Sequence, residues 1–313
     1  MTLTRRTAMA GLLLLPTAAR AQYAATLRIG DQRGGIQPLM QAAGMLRGLS
    51  FELQWSRFSS APTLLEALNS GAIDAGSIGD APFAAAVEAG VDMKAVSATR
   101  ADAAVTAVVV PAGSPIRVVA DLKGRRIATL RGQTGHFLVL VALERAHLSP
   151  GDVHFVFLGP ADAKVAMASG AVDAWATWGP YISMAKLVDG AREIVNGRGL
   201  MTGQSYTVAS TPAIVEKRRQ LSEFLKRARQ AREWGLANPN EQARIWSEQT
   251  GFPPEVGVDV VRTAQTRTVP IDNDVVAAQQ QVADFFHANG VLERLQQVER
   301  HVDRSFNDAI FAA

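Results

Sequence analysis

The sequence has no cysteine among its 313 residues. That excludes disulfides, thiolate metal sites, a cysteine nucleophile and a lipidated cysteine anchor. Histidine is nearly as scarce. His136, His147, His154, His287 and His301 lie scattered, with no HxxxH or HExxH spacing, so no metal site is expected. No G-x-S-x-G elbow, Walker A loop or GxGxxG turn follows a strand. The sequence therefore predicts no enzyme, no catalytic residues and no cofactor. After the N-terminal stretch, no apolar run approaches 18 residues without a charge or proline, so the mature chain is expected not to span a membrane.

An excess of either charge is also missing, once the N-terminus is set aside. Arg5-Arg6, the apolar Ala8 to Leu15 and the small-x-small site Ala19-Arg20-Ala21 read as an export signal over residues 1–21, cut before Gln22. Thr4-Arg5-Arg6-Thr7-Ala8-Met9 has the twin-arginine look, which leaves Tat and Sec export both open. The signal carries three arginines and no acid, so the remainder balances 29 basic against 29 acidic residues. Neither nucleic acid nor an anionic membrane is expected as a partner. With 48% hydrophobic and 19% charged residues, the chain has the makings of a well-packed fold.

What the chain does have, it has twice. Leu68-Asn69-Ser70-Gly71-Ala72-Ile73-Asp74-Ala75-Gly76 returns about 99 positions later as Met167-Ala168-Ser169-Gly170-Ala171-Val172-Asp173-Ala174-Trp175. Each copy reads as a helix end, a left-handed glycine and a short apolar strand. The same offset pairs Arg28-Ile29 with Ile127-Ala128, and Gly79-Asp80-Ala81-Pro82 with Trp178-Gly179-Pro180-Tyr181. The repeat predicts two similar α/β lobes with a cleft between them. The first part of lobe I is expected over residues 22–108 and lobe II over 109–211. A helical region, 212–313, should return to lobe I. The turn-rich Pro111-Ala112-Gly113-Ser114-Pro115 reads as the first crossing between lobes, and Ser205 to Ala209 as the second.

Ligands of open α/β sheets bind where strands lead into helices. Four such loops are expected at the cleft: Asp31 to Gly35, Gly79 to Pro82, Arg131 to His136 and Trp178 to Tyr181. Glycine admits a close approach, and each following helix offers unpaired N–H groups at the positive end of its dipole. Four such ends would hold an anion without a cluster of Lys and Arg. Thr134 and His136 offer side-chain donors. Strand alternation sends Trp175 and Trp178 to opposite faces, with Trp178 in the site as an apolar wall and Trp175 in the core. Asp74 and Asp173 read as structural acids at the sheet edge. The Lys217-Arg218-Arg219 cluster reads as a solvated helix face.

Several motifs together resemble one family. L-x-E-A-L-x-S-G-x-I-D-A, G-D-A-P, S-P-I-x-x-V-x-D-L-K-G-R-R-I-A, A-L-x-x-A-x-L-S-x-x-D-V and P-A-D-A…S-G-A-V-D-A-W-x-x-W-x-P-Y, behind an export signal, look like the aliphatic sulfonate-binding proteins of ABC importers. The likeness covers roughly residues 25 to 210. It implies a type II-like periplasmic binding protein fold, α/β, with two mixed sheets flanked by helices and the helical C-terminal region packed on lobe I. It also implies a monomer in the periplasm that passes a small anionic solute to an inner-membrane permease. By this resemblance the anionic head would meet Gln32, Gly34, Gly35, Gly79, Asp80, Ala81, Thr134, Gly135 and His136, with Trp178 at the tail. One departure stands out: Gly179 occupies a place where relatives commonly carry Asp, which disfavours a taurine-like zwitterion. An aromatic sulfonate, a thiamine-precursor pyrimidine or another heterocycle is the alternative ligand, and an exported enzyme the alternative class.

Overall fold

Gly71 and Gly170 end two helices in the same way. Both take φ near +72°, which a residue with a Cβ adopts only at a cost. Around each, the N–H two residues past the cap reaches back: Ala72 to the Ala67 carbonyl at 2.9 Å, and Ala171 to the Ala166 carbonyl at 2.8 Å. The chain then turns into a strand whose entrance is clamped by the repeated acid. Asp74 accepts from the Arg28 backbone N–H (2.7 Å) and guanidinium (2.6 Å). Asp173 accepts from Arg126 in the same pattern, at 2.8 and 3.1 Å. The two arginines also reach the carbonyls of Gly71 and Gly170. The structural role expected for both acids is what the geometry shows. The equivalent arginines are 98 apart and the acids 99, so the single offset read from the sequence slips by one residue between the two strands.

The computed structural model describes residues 25–312, so the proposed export signal lies outside the described residues. Lobe I begins with β1 (Thr26–Gln32), α1 (Ile36–Ala42), β2 (Glu52–Phe58), α2 (Ala61–Asn69), β3 (Ala75–Gly79), α3 (Asp80–Glu88) and β4 (Met93–Arg100). Lobe II contains β5 (Thr106–Val110), β6 (Arg126–Thr129), α4 (Thr134–Arg145), β7 (His154–Phe157), α5 (Pro160–Ala168), β8 (Ala174–Trp178), α6 (Pro180–Leu187) and β9 (Arg192–Asn196). The chain continues with β10 (Gln204–Ser210), α7 (Thr211–Glu216), α8 (Arg218–Ala237), α9 (Pro239–Thr250), α10 (Pro254–Ala264), β11 (Arg267–Val269), α11 (Asn273–Ala288) and α12 (Asn307–Phe311).

Strand order is β11-β4-β10-β3-β1-β2 in one sheet and β7-β6-β8-β5-β9 in the other. Three parallel strands in each are completed by an antiparallel strand, β10 in lobe I and β5 in lobe II. Both are supplied by the chain just after it crosses. This corrects the expected boundaries. Thr106 to Val110, buried throughout, joins the second sheet and not the first, so Pro111 to Pro115 is a loop within lobe II. Ser205 to Ala209 lies within β10 of the first sheet. The crossings are residues 101–105 and 197–203. They are tied together: Ala101 N–H donates to the Gly203 carbonyl and Gly197 N–H to the Thr106 carbonyl, both at 2.9 Å. Arg198 grips Asp102 at 2.8 to 3.0 Å.

Both faces of each sheet are covered. In lobe I, Leu27, Met40, Phe224 and Phe306 pack on one side, and Leu64, Phe83, Tyr206 and Phe286 on the other. Lobe II buries Leu138 and Val139 of α4 on one face and Trp175 with Ile182 on the other. The C-terminal helices do return to lobe I. The supposedly solvated cluster contributes, since Lys217 is bonded to Asp74 at 2.7 Å and Arg218 to Ser305 at 2.6 Å. The α9–α10 hairpin reaches further than expected: α9 packs on α1 of lobe I, and α10 on α6 of lobe II. Among the described residues no helix is long and apolar enough to cross a membrane.

Candidate ligand site between the lobes

A cavity of about 350 Å³ lies between the lobes, against both crossings and beneath the α9–α10 hairpin. Of the ten residues singled out in the sequence, seven line it: Gln32, Gly34, Gly35, Gly79, Asp80, Thr134 and Trp178. Trp175 is buried in lobe II, as strand alternation required. The lobes come close at two of these positions, since a methyl group placed on Gly79 would sit 3.4 Å from the Thr134 Oγ1. That distance is ordinary contact. Gly79→Ala is expected to bind ligand normally, whereas Gly79→Leu should drive the lobes apart and weaken binding about tenfold or more. Calorimetric titration of the two variants, with a melting curve to confirm folding, checks this.

The expectation of four helix ends open to an anion fails at three of them. Asp31 is buried and accepts from the N–H groups of Ile36 (3.2 Å) and Gln37 (2.9 Å), so α1 is capped from within. Asp80, the first residue of α3, is fully buried and takes the Ala81 N–H at 2.8 Å, so that first-turn donor is spent. Helix α6 begins at Pro180, which has no N–H, and the Gly179 N–H donates to the Val105 carbonyl at 2.7 Å. Of the four, only α4 brings an uncapped first-turn N–H to the cavity lining. Gln133 gives it no side-chain cap, and the N–H groups of Thr134 and Gly135 have no acceptor among the described residues. Buried acids beside a cavity also carry their own cost. Burial pushes the Asp80 carboxyl up to about 6, against hydrogen bonds from Ala81 and Thr202. Burial likewise raises Asp31, against its three backbone donors and the Arg232 charge.

Three sequence candidates fall away from the cavity. Ala81 spends its N–H on Asp80. Gly135 is small for packing, because a Cβ there would meet the Ala176 carbonyl oxygen at 2.6 Å. His136 is 4% exposed, and its ring lies within 4.9 to 6.0 Å of Phe155, Phe157 and Phe286. Burial and the nearby Arg131 charge lower its pKa to about 4, which keeps it neutral and lets Nδ1 accept from the Gly132 N–H at 3.3 Å. It is a core histidine.

The cavity's cation was missed altogether. Arg232 of α8 lines the wall and lies close enough to Asp31 to feel its charge. Burial lowers the guanidinium to about 10, with Asp31 opposing, so it is charged at neutral pH. The signal was present in the sequence. Leu221, Leu225, Ala228, Arg232 and Gly235 follow a 4-3-4-3 spacing, so a charge interrupts an otherwise apolar stripe. Trp246 of α9 is the other omission. It is 5% exposed, donates to the Gly34 carbonyl at 2.9 Å and stacks on Phe252. Any side chain on Gly34 would collide with its indole. With Trp178, Leu236 and Ile245 it adds apolar lining to the cavity. No His, Lys, Tyr or Glu lines the cavity, and among the described residues no cluster of acids and histidines could hold a metal.

Known proteins share this architecture. The NMT1/THI5-like family profile matches residues 48–242. The alkanesulfonate-binding protein SsuA of Xanthomonas axonopodis pv. citri, solved bound to MOPS, superposes with a TM-score of 0.84 at 32% identity, covering 91% of this chain and all of that one. The periplasmic aliphatic sulphonate binding protein SsuA of Escherichia coli gives 0.80 at 32% identity, covering 89% of this chain and 92% of that one. The desulfurization enzyme DSZB, at 20% identity and 0.65, covering 91% and 98%, shares the fold alone.

Proposed function

The chain belongs to the NMT1/THI5-like family, and we propose that it captures an aliphatic sulfonate between its lobes and hands it to an ABC permease. The observation that carries this reading is the pairing of one open helix end with one cation. The free N–H group of Thr134 at the start of α4 and the Arg232 guanidinium can hold an oxyanion, while Trp178 and Trp246 cover an alkyl tail. The two relatives at 32% identity, named for alkanesulfonate and aliphatic sulphonate binding, support the same ligand class. Gln32, Gly34, Gly35, Gly79 and Asp80 shape the site, and their backbone or carboxylate groups are already bonded within the protein.

Binding follows from lobe closure. The crossings at 101–105 and 197–203 are the covalent links between the sheets, and a rotation about them would open the cavity. A ligand that touches α4 of lobe II and α8 of lobe I holds the closed state because it meets both sets of groups only there. The closed surface is what a permease would recognise. Export by the N-terminal signal would place the protein, as a monomer, in the periplasm.

A thermal-shift panel on the chain lacking residues 1–21 tests the reading. Alkanesulfonates of rising chain length should raise the melting temperature with the logarithm of concentration. Nitrate should raise it less, having no tail to bury. A shift seen only with aromatic sulfonates or pyrimidines would keep the cleft and overturn the ligand.

A further inference from the structure

A second, smaller cavity of about 160 Å³ adjoins the first. The two share Val105, Gly179 and Val260 as lining. At the junction Gly179 has φ +52°, and a Cβ there would meet nothing within 4 Å. Gly179 itself puts no side chain between the two spaces. The second cavity has a different character. Lys186, Glu193, Asn196, Arg198, Ser183 and Asp259 line it, on α6, β9, the second crossing and α10.

Its charges do not all cancel. Lys186 bonds Glu193 at 3.0 Å, and Asn196 takes the other Glu193 oxygen at 2.7 Å. Arg198 is engaged by both oxygens of Asp102. That leaves Asp259. Its Oδ2 accepts from the Ser183 hydroxyl at 2.7 Å, and among the described residues no cation pairs with it. A half-buried carboxylate without a counter-charge favours the arrival of a positive group.

We propose that the two cavities form one extended site, in which Asp259 receives the ammonium at the far end of an ω-aminoalkanesulfonate whose sulfonate sits beside Thr134 and Arg232. The proposal rests on the sulfonate reading above. Gly179 disfavoured an amine as long as the only carboxylate considered was its own missing one. Its bare backbone instead leaves the way open to a carboxylate on the neighbouring helix. The ligand's two charges would be met at opposite ends, with its methylenes passing Gly179 against Val105 and Val260.

The competing explanation is that Ser183–Asp259 is only a latch holding α10 to lobe II. Two variants separate these. Butane-1-sulfonate and 4-aminobutane-1-sulfonate are titrated calorimetrically into the wild type, Asp259→Asn and Ser183→Ala. The quantity read is the ratio of the two affinities. In the extended site, Asp259→Asn lowers the preference for the amine about tenfold, because the charge is lost. Ser183→Ala keeps the charge and leaves the ratio within about threefold. A latch predicts that both variants weaken both ligands alike with the ratio unmoved, which overturns the proposal. A wild type that binds butane-1-sulfonate but rejects the amine overturns the extended site alone. One that binds neither overturns the sulfonate reading with it.

Discussion

Arg232→Gln should lose about a hundredfold in affinity for an alkanesulfonate, which corresponds to about 2.7 kcal/mol. The reasoning is that α4 supplies only partial charges, whereas Arg232 is the one full positive charge lining the cavity. Truncating a charged hydrogen-bonding partner in a desolvated site costs more than losing a rim charge. The fold should survive, because Asp31 retains its bonds to Gln32, Ile36 and Gln37. Arg232→Lys keeps the charge but not the planar fork and should fall between, at about a tenfold loss. With a guanidinium near 10, the loss should be constant from pH 5 to 8. Calorimetric titration measures it, and affinities within threefold of wild type for Arg232→Gln would remove Arg232 from the site.

Asp74→Asn and Asp173→Asn, the same change in the two copies of the repeat, should differ widely in stability. Asp74 has a side chain only 4% exposed and faces both Arg28 and Lys217. Removing its charge leaves two cations facing each other and should cost about 3 kcal/mol. Asp173 pairs with Arg126, with Arg125 acting only at longer range, and has 26% of its side chain exposed, so its replacement should cost less than about 1 kcal/mol. Acid adds a second check. Burial pushes the Asp74 carboxyl up, but Arg28 and Lys217 outweigh it and hold the pKa below its ordinary value. A depressed carboxylate contributes stability above its unfolded pKa and loses it as pH falls through the folded one. The gap between wild type and Asp74→Asn should therefore be full at pH 7 and shrink below about pH 4. Denaturant melts at the two pH values measure it. Equal costs for the two variants at pH 7 would show that Lys217 contributes nothing.

The repeat, the two lobes and the position of Trp178 were legible because each rests on local rules: helix termination at glycine, and alternation along a strand. Sheet membership was not. A buried β-branched run such as Thr106 to Val110 announces a strand, yet nothing in it names the strands it will join. The capped helix ends were readable in principle, since an acid at Asp80, directly after Gly79, is a known N-terminal signal. Its carboxylate competes for an N–H group that an anion would otherwise take. His136 was misplaced because the rings around it come from β7 and α11, far apart in sequence. Arg232 was missed because it sits on α8, outside the four strand-to-helix loops in which ligand groups were sought.

The interleaving of the two sheets has a consequence for how the protein comes into being. Lobe I holds a slot between β3 and β4 that is filled by β10, after all of lobe II has been made. Until residue 210 arrives, the first hundred residues hold two unpaired strand edges and an unfinished core. Lobe I is therefore a template waiting on a later segment, whereas lobe II is built from one continuous stretch, β5 to β9. Such an order suits a polypeptide that must leave its place of synthesis before it becomes compact, and it makes any nick within lobe II as damaging to the first lobe as to the second.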